Sequence, residues 1–299
     1  MNNIKSRFSI KDLENLSGIK AHTIRIWEKR YNLFKPNRTD TNIRYYSLES
    51  LQKLLNITFL YTNGYKISKI AELSPEEISN TVKTLSTTEH SDNYTLNMLK
   101  LSMLNFDKAL FQNVYKSLAL NTAFDEIFYD VFIPLLNEIG FLWQTKTITP
   151  AQEHFISELI VQKILLQTEK YQYEKPKKDD TVYVLFLPEN EIHALGLHFI
   201  NYQLNKLGHQ TIYLGPSVPI DSLKDVLKHY NKITFVSYFT VKPESNIIND
   251  YLNTFKNTLL QNGKHKLWVL GKMVEFANKD LLKEQIRYFT TIKNLVKEL

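Results

Sequence analysis

The sequence predicts a multidomain chain, all-α over its first part and α/β over its last. Three observations predict it. Apolar residues recur at helical spacing as far as about residue 173. From residue 181 strand-like and helix-like runs alternate, the pattern of a parallel sheet with helices on both faces. The net positive charge is confined to one end. Residues 1–46 hold ten Lys/Arg and four Asp/Glu, a balance of +6 that equals the charge of the whole chain. A basic head on a neutral body is the electrostatic footprint of a nucleic-acid binder.

Composition sets outer bounds. A length of 299 residues suggests two or three domains, and 43% hydrophobic content is enough for real cores. The absence of cysteine excludes a disulfide framework, a thiolate metal site and a cysteine nucleophile. Residues 1–8 lack the apolar centre of a leader, and no later apolar run approaches membrane-spanning length. A cytoplasmic chain with no membrane partner is the expectation.

In the head, Ser9 can cap a helix over about 10–16, Gly18 supplies a tight turn, and a second helix covers about 20–31. Ile24 and Trp27 then face inward, leaving His22, Thr23, Arg25 and Lys29 to reach base edges and phosphates from a major groove. The turn-rich stretch 37–42 followed by Ile43-Arg44-Tyr45-Tyr46 reads as a wing, with Arg44, Tyr45 and Tyr46 placed on phosphates. Ser47 opens a third helix through Tyr61, and residues 66–73 form a fourth. This winged helix-turn-helix head resembles the MerR family of transcription regulators over about residues 7–75. The resemblance rests on Phe8-Ser9-Ile10, on Thr23 through Tyr31 and on the 43–46 wing. It implies double-stranded DNA as partner. The domain is set at 1–75. The polar stretch 76–92 reads as a linker without the family's long dimerisation helix, so self-association would fall to the C-terminal part.

Residues 93–174 read as a four-helix bundle, with helices at about 94–105, 107–120, 123–143 and 150–172. Thr149-Pro150-Ala151-Gln152 is a capping box with proline at the first helical position. Trp143 ends the third helix and Glu153-His154 open the fourth, with nine residues between the tryptophan and the glutamate. An indole, a carboxylate and an imidazole are thus set at one end of the bundle.

Residues 180–299 read as a Rossmann-like domain. Strands are expected at 181–187, 210–214, 233–238, 266–270 and 288–291, and helices at 195–207, 220–230, 244–262, 279–286 and 292–298. Residues 175–180 form a charged linker before it. Glu191-x-His193-x-x-Gly196 follows the first strand, where open α/β sheets bind ligands. Glu191 is close enough to hold one imidazole nitrogen and leave the other to a metal. The remaining histidines, His198, His209, His229 and His265, show no ligand spacing and read as surface or structural.

The bundle and this domain together are similar to the light-responsive, adenosylcobalamin-dependent repressors. The resemblance implies that Trp143, Glu153 and His154 border the adenosyl group, with the bundle over the upper face of the corrin. It implies that His193 is the lower cobalt ligand oriented by Glu191, that Gly196 completes this cobalamin-binding motif, that Ser237 lines the pocket of the cofactor's tail and that Gly271 is the first glycine of the usual pair. It also implies a homo-oligomer whose assembly on DNA follows cobalamin and light. Three positions depart from the pattern. Gln144 stands where photoresponsive members carry a histidine, Phe239 stands for a leucine, and Lys272 for a second glycine. They keep a second expectation open, a regulator that binds no cofactor and answers to a protein partner.

Overall fold

A computed structural model describes residues 7–88, 92–172 and 181–299. It contains two compact units, Met1–Leu159 and Ile160–Leu299.

The first unit opens with α1 (Ile10–Ser17). Ser9 and Asp12 cap each other's backbone amides, and Gly18 ends the helix in the left-handed region at φ 75°. Helix α2 (Ala21–Tyr31) buries Ile24 and Trp27. Strands β1 (Asn37–Arg38) and β2 (Arg44–Tyr45) pair antiparallel as the wing. Phe8 and Tyr46 exchange backbone hydrogen bonds of 2.9 and 2.8 Å, which fastens the wing to the start of the head. Helices α3 (Leu48–Thr62) and α4 (Ile67–Ile70) complete it, with Trp27 edge-on to Tyr61 of α3.

The stretch expected as a linker carries a helix, α5 (Pro75–Thr88). Ser74 and Glu77 form a reciprocal cap at its start. Ile78 and Val82, four apart, are buried, so one face packs although the composition is polar.

The bundle follows as α6 (Asp92–Asn105), α7 (Lys108–Ala119), a third helix and α10 (Pro150–Gln172). The third helix is not one regular rod. It begins as α8 (Phe124–Glu126), widens into a π turn (Ile127–Phe132) and resumes as α9 (Ile133–Gln144). Pro134 lies just past the widening and has no amide to give the regular ladder. The box at the start of α10 forms as expected, with Gln152 Oε1 accepting from the Thr149 amide at 2.9 Å and its Nε2 donating to Leu104 O.

In the second unit, five parallel strands run in the order β4-β3-β5-β6-β7. They are β3 (Val182–Phe186), β4 (Gln210–Gly215), β5 (Ile233–Tyr238), β6 (Lys266–Leu270) and β7 (Ile286–Tyr288). Val182, Val184 and Phe186 alternate onto one face, where Phe186 stacks on Phe255 of the helix Ile248–Leu259. Tyr183 points to the other face and meets Trp268. Helix α11 (Leu195–Lys206) follows β3. The connection after β4 is a 3₁₀ turn, Ile220–Leu223, and α12 (Lys224–Leu227). Ile248–Leu259 is α13 and Ile292–Val296 is α14.

Two expectations fail here. Residues 279–286 form turns rather than a helix, and the last strand lies at Ile286–Tyr288, earlier than 288–291. The first seven of the residues 279–286 hold one buried-side aliphatic pair, Leu281-Leu282, flanked by exposed charges, too little apolar stripe for a helix. The charged linker at 175–180 lies outside the described residues. No helix among the described residues is long and apolar enough to cross a membrane.

Candidate cofactor and DNA sites

The strand order makes the site. From β3 the chain goes to β4 on one side, while β5 lies on the other, so the loops after β3 and β5 leave the sheet in opposite senses and open a crevice. Glu191 and His193 sit on the first loop, and Val241 and Lys242 on the second.

Glu191 is fully buried. Its Oε1 accepts from the amides of Ile192 (2.9 Å) and His193 (3.0 Å) and meets His193 Nδ1 at 2.5 Å. Its Oε2 accepts from the amides of Val241 (2.6 Å) and Lys242 (2.8 Å). Burial acts to raise its pKa, but the His193 imidazole and the three amides of Lys242, Val241 and His193 outweigh burial and hold it down at about 2. Glu191 is therefore an anion that fixes the tautomer and direction of His193, whose side chain is half exposed.

Gly196 begins α11 beneath the Tyr238 ring, and a Cβ there would stand 2.8 Å from that ring. Ser237 is buried on β5 and donates from Oγ to Phe186 O at 2.8 Å. Gly271 takes φ 101°, and a Cβ would lie 2.3 Å from Phe239 O. Of the departing positions, Phe239 is buried in the core edge-on to Tyr251, whereas Lys272 is exposed and keeps its charge out of the interior. The Tyr251 hydroxyl beside Phe239 is buried without a hydrogen-bond partner. Among the described residues no cluster of three or more His, Asp or Glu could hold a bare metal ion. A metal carried in a macrocycle could be held by a single protein imidazole, and the His193–Glu191 pair fits that demand.

In the first unit, Trp143 ends α9 with 55% of its surface exposed, and Phe141 beside it is 52% exposed. Gln144 is exposed next to it. Glu153 accepts from Ser157 Oγ at 2.9 Å and pairs loosely with His154 Nδ1 at 3.6 Å. The turn 145–149 puts all three at the same end of the bundle.

On the head, His22, Arg25 and Lys29 are exposed along α2, Thr23 is half-buried beside them, and Arg44 and Tyr45 lie on the wing. Arg7 stacks over Tyr45 at 4.8 Å. Tyr46 departs from expectation. It is fully buried, and its hydroxyl donates to Glu28 Oε2 at 2.9 Å, so it holds the wing rather than touching DNA. Glu28 Oε1 also meets Arg44 Nε at 3.5 Å. Sequence reasoning missed Glu28, whose place one turn after Ile24 on the recognition helix was the available signal. Arg25, Glu28, Lys29, Lys35 and Arg44 border a cavity of about 490 Å³.

These sites define a class, a DNA-binding regulator whose body is built for a corrinoid. Residues 8–77 match the MerR HTH family regulatory proteins, and residues 95–165 match the B12 binding domain. Residues 8–77 therefore carry a MerR-type DNA-binding head, and residues 95–165 a B12-binding segment. Among particular proteins, it is 27% identical to the HTH-type transcriptional repressor CarH of Myxococcus xanthus, over 72% of this chain and 73% of that one. It is 26% identical to the repressor CarA of the same organism, over 72% and 70%. In fold, it is similar to the monomethylamine corrinoid protein of Methanosarcina barkeri at TM-score 0.57 and 16% identity, covering 70% of this chain and 98% of that one.

Proposed function

We propose that this regulator is a cytoplasmic repressor that binds adenosylcobalamin and whose assembly on DNA follows the cofactor. The observation that carries the reading is the His193–Glu191 pair at the crevice of the sheet. His193 would hold cobalt through Nε2, the nitrogen that Glu191 leaves available. Glu191, already ionised, keeps that nitrogen aimed and strengthens its donation. Gly196, Ser237 and Gly271 border the tail. Trp143, Glu153 and His154, at one end of the bundle, would border an adenosyl group. The group supplies a light-labile cobalt–carbon bond when bound. Gln144 offers cobalt no imidazole, so in this chain any response to light proceeds without a histidine at that position.

The head has a single recognition helix, and repressors of this kind gain affinity by joining several heads on one operator. The reading therefore includes a homo-oligomer whose size changes with cofactor state. Arg25 and Lys29 read the major groove, and Arg44 and Tyr45 hold phosphates.

The test is an absorption spectrum of the full chain after incubation with adenosylcobalamin in the dark and desalting, repeated for His193→Ala. Retained corrin bands that weaken in the variant support the reading, and a colourless wild-type protein refutes it. One observation favours a second reading. The Tyr238 ring already covers Gly196, which suits a regulator that holds no cofactor and answers to a protein partner. The colourless outcome would belong to it.

A further inference from the structure

Within the first unit the DNA-reading head is fastened to the bundle by a few polar contacts. Lys100 of α6 is only 6% exposed. Its Nζ donates to Leu16 O near the end of α1 (3.2 Å) and to Glu138 Oε2 on α9 (2.8 Å). A cation there meets the negative end of the α1 dipole. Asn15 Nδ2, on the same helix, donates to Thr147 Oγ1 at 3.0 Å. Thr147 is fully buried and shares a second hydrogen bond with Thr145 at 2.9 Å. Besides these polar contacts, α3 packs on α6 across the seam, with Phe59 against Tyr94. A cavity of about 520 Å³ runs along it, bordered by Asn15, Leu16, Thr58, Asn97, Lys100 and Glu138. The Thr58 hydroxyl in its wall is buried and has no hydrogen-bond partner among the described residues.

The placement of Thr147 matters. It lies near the middle of the nine residues that separate Trp143 from Glu153. Any displacement of that turn moves the group Asn15 holds, and α1 is packed on the recognition helix α2. Atoms lining the void lack partners on that side, so the hydrogen bonds beside it carry more of the local alignment than they would in a filled core.

We infer that Asn15, Thr147 and Lys100 are positioning residues that couple the Trp143–Glu153 end of the bundle to the orientation of the recognition helix. The inference rests on the reading of Trp143, Glu153 and His154 as cofactor contacts, so its test has one arm that needs no cofactor.

That arm is hydrogen exchange on the cofactor-free full chain for Asn15→Ala, Thr147→Val and the pair. One neutral hydrogen bond contributes on the order of 1 kcal/mol, a change of about fivefold in local opening. Thr147→Val is expected to raise exchange across residues 10–17 by about that factor. Asn15→Ala should do the same across 145–149, and the pair should exceed neither single variant. Exchange raised only around each substitution, or additive in the pair, overturns the coupling. Lys100→Met, which leaves Leu16 O and Glu138 without the ammonium, should raise exchange at both ends of the seam.

The second arm measures DNA affinity with and without adenosylcobalamin. In Asn15→Ala and Thr147→Val the corrin spectrum and the cofactor-free affinity should stay as in wild type while the cofactor-dependent ratio falls towards one. A full ratio in both variants overturns the inference. If wild type retains no corrin, the cofactor reading fails and the exchange arm alone decides the seam.

Discussion

A carboxylate removed from water stays charged only where donors replace its hydration. Glu191 has four backbone amides and an imidazole around two oxygens. Its folded pKa, about 2, is depressed from the ordinary 4.5. A depressed carboxylate contributes stability that is fully present above its unfolded pKa and is lost as pH falls towards the folded value. A shift of this size corresponds to about 3 kcal/mol. Thermal unfolding of Glu191→Gln should therefore fall well below wild type at pH 6, with the gap closing between pH 4.5 and 2. A gap independent of pH would mean the amide loses packing rather than charge. Glu28 offers the parallel case on the head. Glu28→Gln should weaken binding to operator and random DNA together, since it frees Arg44 and Tyr46 rather than a base contact; fluorescence anisotropy on both duplexes checks this. The pairing of Glu191 with His193 was legible because the two are neighbours in sequence. The amides of Val241 and Lys242 were not, because only the strand order β4-β3-β5 brings a loop fifty residues away onto the same carboxylate. Tyr46 was misread for a related reason. Its hydroxyl finds a buried partner on another helix, and burial beside that carboxylate raises its pKa further.

At the scale of elements, capping chemistry was readable and irregularity was not. Ser9 and Thr149 announce α1 and α10, and both caps form. Central strands such as Val182–Phe186 were legible because burial on both faces leaves an unbroken apolar stretch, whereas the edge strand Ile286–Tyr288 was placed too late. Helix α5 escaped because the two buried aliphatics among its described side chains, Ile78 and Val82, make a weak pattern. The π turn escaped because one extra residue per turn leaves no compositional mark. Gly271 shows where an element end is fixed by a neighbour rather than by its own sequence. Its φ is positive and the Phe239 carbonyl stands where a methyl would go. Gly271→Ala should lower the stability of the second unit by at least about 2 kcal/mol, read from urea denaturation followed by Trp268 fluorescence. An unchanged midpoint would show that the loops after β5 and β6 can separate at little cost.

For the whole molecule, the placement of charge decides how DNA is found. All +6 of the net charge lies in residues 1–46, so attraction to phosphate acts through the head alone. Arg44→Ala should weaken binding to every sequence and reduce the slope of log affinity against log salt by about one. An unchanged slope in a full-chain titration would remove Arg44 from the phosphate contacts. The cage around Glu191 has a consequence at this scale too. Every donor in it comes from the chain itself, so a newly made molecule presents a finished socket before meeting any ligand. On the reading proposed above, a ligand entering that socket would pay little ordering entropy, because the groups that meet it are already fixed.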